Sequence, residues 1–234
     1  MGAASGKFTL IITGGKIVDP SIVKHLPAFD TVVAADSGVD SALVLGLMPH
    51  VVVGDLDSIS PAGLAAVRNN DIEVLQSPTD KDFTDTELAL RCAAERGSRN
   101  VFLLSPGGGR LDHAHGVTTA LFHPDLEHLH IQAAVGEAHV YVLHGGDSVE
   151  FHQPRAPLAA LHAMNGVARG VTTHGLRWNL HNDDLEPWVS RGVSNEVVDS
   201  VARVSVDSGA LMVLLPLAYA ISDNHISSQE GKPS

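Results

Sequence analysis

Apolar residues come in short blocks along the first 135 positions. The blocks are 8–12, 31–35, 51–53, 72–75, 101–104 and 130–135. Each is aliphatic or β-branched and each is followed by a turn signal, which is the pattern of strands. Between them run mixed stretches such as 85–96, where Leu88, Leu90 and Ala93 recur among polar residues. Alternating strands and helices predict a parallel sheet covered on both faces, with ligands beyond the carboxyl ends of the strands. Near Gly136 the pattern changes. Short strand-like runs at 138–143, 148–151, 158–163, 170–173, 201–206 and 211–215 follow one another, with Gly145-Gly146-Asp147 as a turn. They predict a small antiparallel sandwich or barrel. The expected fold class is α/β followed by all-β: an α/β domain over 1–136, a β-sandwich over 137–220 and a flexible polar tail over 221–234.

Composition narrows the function. The chain of 234 residues is 44% hydrophobic and 18% charged, enough apolar material for a sizeable core. Its 27 acidic against 15 basic residues give a net charge of −12. That balance is wrong for holding nucleic acid by its phosphates, and a nucleotide would need a divalent cation to approach. One cysteine, Cys92, excludes an internal disulfide and is compatible with a reducing compartment. Residues 1–7 do not read as a signal peptide, and no apolar run reaches the ~20 residues of a membrane span. A soluble, cytoplasmic protein with no membrane partner is expected. The 14 histidines scatter without zinc-like spacing, so surface positions are the preferred reading over a zinc-binding structural protein.

The polar clusters fall where first-half strands should end. Asp55 and Asp57 are two apart, so in an extended chain both point the same way. Paired carboxylates repel unless a cation joins them, and Mg²⁺ takes carboxylate oxygens together with waters and phosphates. The alternative is that one of them caps a helix starting near Pro61. From Asp80 to Glu87 four carboxylates and Lys81 crowd into eight residues. Thr84 and Glu87 form a capping box, and Asp85 suits the first turn of a helix. Asp80, Lys81 and Asp82 precede that helix; they are either a solvated loop or, with Asp85, metal ligands and a phosphate contact. Gly107-Gly108-Gly109-Arg110 leads into a helix at Asp112, where backbone amides and a guanidinium favour anions. Thr13-Gly14-Gly15-Lys16 is a similar, weaker signal. There is no Walker A loop and no nucleophile elbow, and Cys92 falls inside a helix. The expected chemistry is transfer between two bound substrates.

Taken together, these strings resemble the thiamine pyrophosphokinase family, bacterial type. The matching segments are Ala35-Asp36-Ser37-Gly38, Gly54-Asp55-Leu56-Asp57-Ser58, Asp80-Lys81-Asp82-Phe83-Thr84-Asp85 and Gly108-Gly109-Arg110-Leu111-Asp112-His113. Gly175-Leu176-Arg177-Trp178-Asn179-Leu180 and Arg191-Gly192-Val193-Ser194-Asn195-Glu196 match in the second half. The resemblance implies an ATP- and Mg²⁺-binding catalytic domain and a thiamine-binding sandwich. It implies transfer of the pyrophosphoryl group of ATP to thiamine, giving thiamine diphosphate and AMP, in a homodimer with the active site between subunits. It assigns Mg²⁺ to Asp55, Asp57 and Asp85, with Asp36 and Asp82 close by. Asp112 joins the same acidic cluster or accepts a hydrogen bond from substrate. ATP phosphates go to Lys81, Thr84, Gly108, Gly109 and Arg110, and thiamine to Ser194 and Asn195. Lys81 stands where eukaryotic members tend to have glutamine. Animal members carry a thiamine-stacking aromatic near the last strand; Ala210-Leu211-Met212-Val213 supplies none here, and Trp178 or Trp188 is left as candidate. The rivals are a diphosphokinase for another alcohol, such as a hydroxymethylpterin, and a non-catalytic thiamine or nucleotide sensor.

Overall fold

Six strands form on the apolar blocks of the first half: β1 (Lys7–Thr13), β2 (Thr31–Ala35), β3 (Val51–Gly54), β4 (Glu73–Gln76), β5 (Ser98–Ser105) and β6 (His130–Val135). The computed structural model describes residues 6–16, 19–77, 82–107, 110–152, 158–217 and 225–228. The strands pair in the order β6-β5-β1-β2-β3-β4, and every neighbouring pair is parallel. Leu10 to Ile12, Val51 to Val53 and Val101 to Leu104 are buried without alternation, as strands covered on both faces must be. Edge strand β4 is the exception, with Glu73 and Gln76 open to solvent.

Helices connect these strands: α1 (Gly38–Val44), α2 (Pro61–Asn69), α3 (Asp85–Glu95) and α4 (Leu111–Ala120). Local signals start two of them. Ser60 caps α2 by accepting from Gly63 N–H, with Pro61 in the first turn. Thr84 and Glu87 make the expected capping box of α3. Ala89, Leu90, Cys92 and Ala93 turn the buried face of α3 inward, so the single thiol is a core group. No helix among the described residues is long and apolar enough to cross a membrane.

The chain divides into two compact units, Met1–Gly136 and Glu137–Ser234. The second holds β7 (Ala138–His144), β8 (Asp147–His152), β9 (Ala160–His174), β10 (Asp183–Leu185), β11 (Val201–Ser205), β12 (Ser208–Pro216) and β13 (His225–Ser228). Within it the order is β13-β8-β11-β9-β12-β7, all antiparallel, with β10 paired to β9. Tyr141, Phe151, Leu161, Val171, Val204 and Leu211 belong to one shared core.

Three expectations change. The run 170–173 and the last four residues of the run 158–163 are parts of one 15-residue strand, β9. Its first part pairs with β12 and its last residues with β11. The turn between lies at Asn165 and Gly166, whose φ angles of 58° and 140° suit Asn and Gly, and polar Asn165-Gly166 reads as a break from sequence. Strand β10 is a short acidic segment without apolar periodicity. Strand β13 lies inside the expected flexible tail. It carries one aliphatic residue, and main-chain pairing with β8 orders it.

Candidate active site

In the first unit the chain leaves β1 towards β2, β3 and β4, then returns to β5 on the other side of β1. That reversal opens a crevice at the strands' carboxyl ends, the usual ligand position of open parallel sheets. A cleft of about 710 Å³ lies there. Thr13, Gly14 and Gly15 line it after β1, Asp36 and Ser37 after β2, and Asp55 and Ser58 after β3. Ser105 and Gly107 line it after β5; Phe83, Thr84 and Asp85 contribute from the start of α3, and Asp112 and His113 from α4.

Asp36 and Asp55 of this lining and the exposed Asp57 next to it form an acidic trio, each offering a carboxylate oxygen within 4.8 Å of the others. Asp55 and Asp57 do not converge by lying on an extended strand. Leu56 turns through φ 69°, and Asp57 N–H donates to Asp55 Oδ1 at 3.2 Å, an Asx-type turn that folds the two carboxylates together. Asp36 also takes a positive φ, 47°, while its N–H donates to Val53 O at 2.8 Å. Ser58 donates its hydroxyl to Asp36 Oδ2, and the buried Oδ1 of Asp36 has no partner. The Asp57 carboxyl is raised above its ordinary value of 3.8, first by the charge of Asp55, then by desolvation and by Asp36. Repelling carboxylates and an orphaned buried oxygen fit a hard divalent cation. Among the described residues, no histidine joins a group of this kind.

Asp85 stands beside this trio and not within it. A side chain at Gly54, where φ is 143°, would come within 3.1 Å of Asp85 Oδ1 and 3.2 Å of Asp36 Cβ. Glycine therefore lets the two carboxylate-bearing loops meet over β3. The implied metal set of Asp55, Asp57 and Asp85 thus differs from the tight group, in which Asp36 takes the third place. Asp82 is exposed and outside both the trio and the cleft lining.

Asp112 is not in the acidic cluster either. Arg110 donates from Nε to its Oδ1 at 3.1 Å and from a terminal N–H to its Oδ2 at 2.5 Å. The guanidinium holds the Asp112 carboxyl down to about 2. The fork of Arg110, expected on phosphate, is engaged by Asp112. Both side chains are more than 60% exposed, so substrate can displace this pairing at little cost. Thr84 lines the cleft as the cap of α3, its N–H donating to Glu87 Oε2 at 3.2 Å. Asp80, Lys81, Gly108 and Gly109 lie outside the described residues.

In the second unit the two motif strings close on each other. Asn195 Oδ1 accepts from Trp178 N–H at 3.1 Å and from Glu196 N–H at 2.9 Å, and its Nδ2 donates to Trp178 O at 2.8 Å. Arg177 pairs with Glu196 at 2.9 Å. Asn195 is buried, and three of its four hydrogen-bonding positions go to backbone, so it is a clasp more than a ligand contact. Ser194, at φ 59°, lines a largely apolar hollow of about 280 Å³ with Leu158, Val193 and Leu214. Trp178 stays 55% exposed under the Arg177 guanidinium, and Trp188 is 74% exposed.

Sequence reasoning passed over Ser58, Ser105, His113 and the ring of Phe83. Three sit inside strings already singled out, and Ser105 ends a strand. Position at or soon after a strand's carboxyl end was the signal available for Ser58 and Ser105, and the entrance of the following helix for Phe83 and His113.

The chain thus pairs a parallel α/β unit, with an acidic trio at its switch-point cleft, with an antiparallel β unit. Comparison with known proteins gives the family. The thiamin pyrophosphokinase catalytic domain model matches residues 23–133, and the thiamin pyrophosphokinase vitamin B1 binding domain model matches residues 152–211. Thiamine pyrophosphokinase 1 of Oryza sativa subsp. japonica is 27% identical over 71% of this chain and 66% of its own length. Thiamine pyrophosphokinase of Bacillus subtilis is 22% identical over 87% of this chain and 96% of its own. The crystal structure of the B. subtilis enzyme superposes with a TM-score of 0.78 at 21% identity, covering 90% of this chain and 99% of that one. The chain belongs to the thiamin pyrophosphokinase family, enzymes that move the pyrophosphoryl group of ATP onto thiamine.

Proposed function

We propose that the switch-point cleft binds ATP with Mg²⁺ and hands its β,γ-pyrophosphoryl group to thiamine. The observation that carries this is the Asp36, Asp55 and Asp57 trio, too close together to be at ease without a cation. In the transfer, the hydroxyethyl oxygen of thiamine forms a bond to the β-phosphorus. The bond from that phosphorus to the α,β-bridging oxygen breaks, AMP leaves, and the hydroxyl proton goes to solvent. Such a step needs in-line placement and charge neutralisation more than covalent help from the protein.

The residues divide the work. Asp36, Asp55 and Asp57 would hold Mg²⁺, with Asp85 beside them; Mg²⁺ would supply positive charge against the phosphate oxygens. Ser58 keeps the Asp36 carboxylate turned. Arg110 exchanges Asp112 for a phosphate oxygen as the nucleotide enters, and Asp112, freed, takes a hydrogen bond from substrate. Thr84 presents the amino end of α3, and Lys81, Gly108 and Gly109 complete the phosphate contacts. Asp82 adds to the negative field. Ser194 meets thiamine, held in place by the Asn195 clasp. The working unit is a cytoplasmic homodimer whose active site is completed between subunits.

The test is to incubate the protein with ATP, Mg²⁺ and thiamine and to follow AMP. AMP and thiamine diphosphate in equal amounts are expected. AMP formed with a hydroxymethylpterin and not with thiamine would overturn the choice of alcohol. Tight thiamine binding with no AMP would favour a sensor.

A further inference from the structure

Phe83 is a large apolar side chain left 44% exposed at the entrance of α3, and it lines the cleft. A lone exposed ring would ordinarily be free to swing. This one is pinned from one side: the Arg91 guanidinium lies 5.0 Å from its centroid, within cation–π range. Arg91 is itself fixed. One terminal nitrogen donates to Asp125 Oδ2 at 3.1 Å, and the other lies 3.1 Å from His123 Nε2. Asp125 and His123 belong to the turn after α4, where Asp125 N–H also contacts His123 Nδ1 at 3.2 Å. Arg91, tied to Asp125 across α3 and the turn after α4, thus backs one face of the ring in the cleft that Asp36 and Asp55 also line.

We infer that Phe83 is the stacking platform for the nucleobase of the phosphoryl donor, with Arg91 as the positioning residue behind it. The inference rests on the proposed function of the cleft and adds which group binds the base. A ring face offers any base a stacking surface, and a purine covers more of it than a pyrimidine. Preference for ATP over UTP or CTP then comes in part from Phe83 and not from the metal trio. The base lies on the face opposite Arg91. The triphosphate runs from there past Asp85, two residues further on, towards Asp55 and Asp57.

The test is steady-state kinetics of the full-length protein with thiamine saturating and the donor varied. Phe83→Ala should raise KM for ATP about tenfold, in line with stacking losses seen elsewhere, and leave kcat and the KM for thiamine near wild type. The ratio of kcat/KM for ATP to that for UTP should fall towards one. Phe83→Trp should retain the ATP preference, and Arg91→Leu should give a smaller rise in KM for ATP with the same loss of base discrimination. An unchanged ATP-to-UTP ratio in Phe83→Ala, or a rise confined to the KM for thiamine, would overturn the inference. Absence of AMP formation by the wild-type protein would instead overturn the function proposed for the cleft. A melting temperature of Phe83→Ala equal to wild type within ~2 °C separates lost stacking from lost folding.

Discussion

The polar loops of the first unit and the motif strings of the β unit both draw on Gly, Ser and Arg, the first adding Asp and the second Asn and Glu. Their structures differ in one respect. In the β unit the polar groups satisfy each other: Asn195 binds the Trp178 backbone on both sides, and Arg177 answers Glu196. In the first unit they do so only in part, for Ser58 answers Asp36 and Arg110 answers Asp112 while the carboxylates of the trio still crowd one another. Asp36, Asp55 and Asp57 face one another, Asp57 is pushed up by Asp55, and Asp36 Oδ1 is buried without a partner. Unmet polar demand marks where a ligand belongs, whereas satisfied polar groups mark a scaffold that presents something else.

Substitutions in the two regions should therefore fail differently. Asp57→Asn removes one member of the crowded trio. We expect turnover to fall by about 10³-fold, as when other preorganised electrostatic groups are lost, with the fold intact. Circular dichroism beside the AMP assay checks both. A variant with normal turnover would erase the contrast.

Asn195→Ala should do the reverse. It strips partners from two N–H groups and one C=O, costing about 2–3 kcal/mol of stability, as expected for unmade buried hydrogen bonds. A urea melt measures this. A stability loss under ~0.5 kcal/mol would show that the clasp is not structural. Thr84→Ala, which removes the cap of α3 at the edge of the cleft, should cost about 1 kcal/mol in the same melt.

The smallest effects separate two kinds of carboxylate inside one cleft. Asp57 is raised above 3.8 in the folded chain, so the folded state binds its proton more tightly than the unfolded state. Its charge therefore opposes folding at neutral pH, and the opposition fades as pH falls towards its raised value. Without divalent metal, Asp57→Asn should melt slightly higher than wild type at pH 7, and the gap should close near pH 4. Mg²⁺ should reverse the order at pH 7. Asp112 is the opposite case, lowered from 3.8 to about 2 by Arg110. Its contribution is present above 3.8 and is lost as pH falls through about 2, so Asp112→Asn should be slightly less stable at pH 5 and equal to wild type at pH 2. Thermal melts across that range check both signs.

The parallel sheet was legible because doubly covered strands such as 51–53 and 101–104 must be apolar throughout. The capping box of α3 was legible because its signal is local. The acidic and glycine strings lie in loops at the carboxyl ends of the parallel strands, as the pattern of the sheet predicts. The pairings within them were less visible. Asp36 joins Asp55 and Asp57 through a contact across about 20 residues, and Arg110 turns to Asp112 through a side-chain choice that no spacing reveals. In the β unit the single strand β9 reads as two because Asn165-Gly166 is a turn signal that the strand absorbs as a bend. The hydrogen bonds between Asn195 and the Trp178 backbone were not legible, because they join groups 17 residues apart.

Whether the crowded trio is where Mg²⁺ and nucleotide meet can be read from titration calorimetry. ATP is titrated into the wild-type protein and into Asp57→Asn, each with and without Mg²⁺ and with thiamine absent. Binding by wild type should strengthen sharply with Mg²⁺, and binding by the variant should no longer respond to the metal. Equal Mg²⁺ dependence in the two proteins would contradict a metal site at Asp36, Asp55 and Asp57.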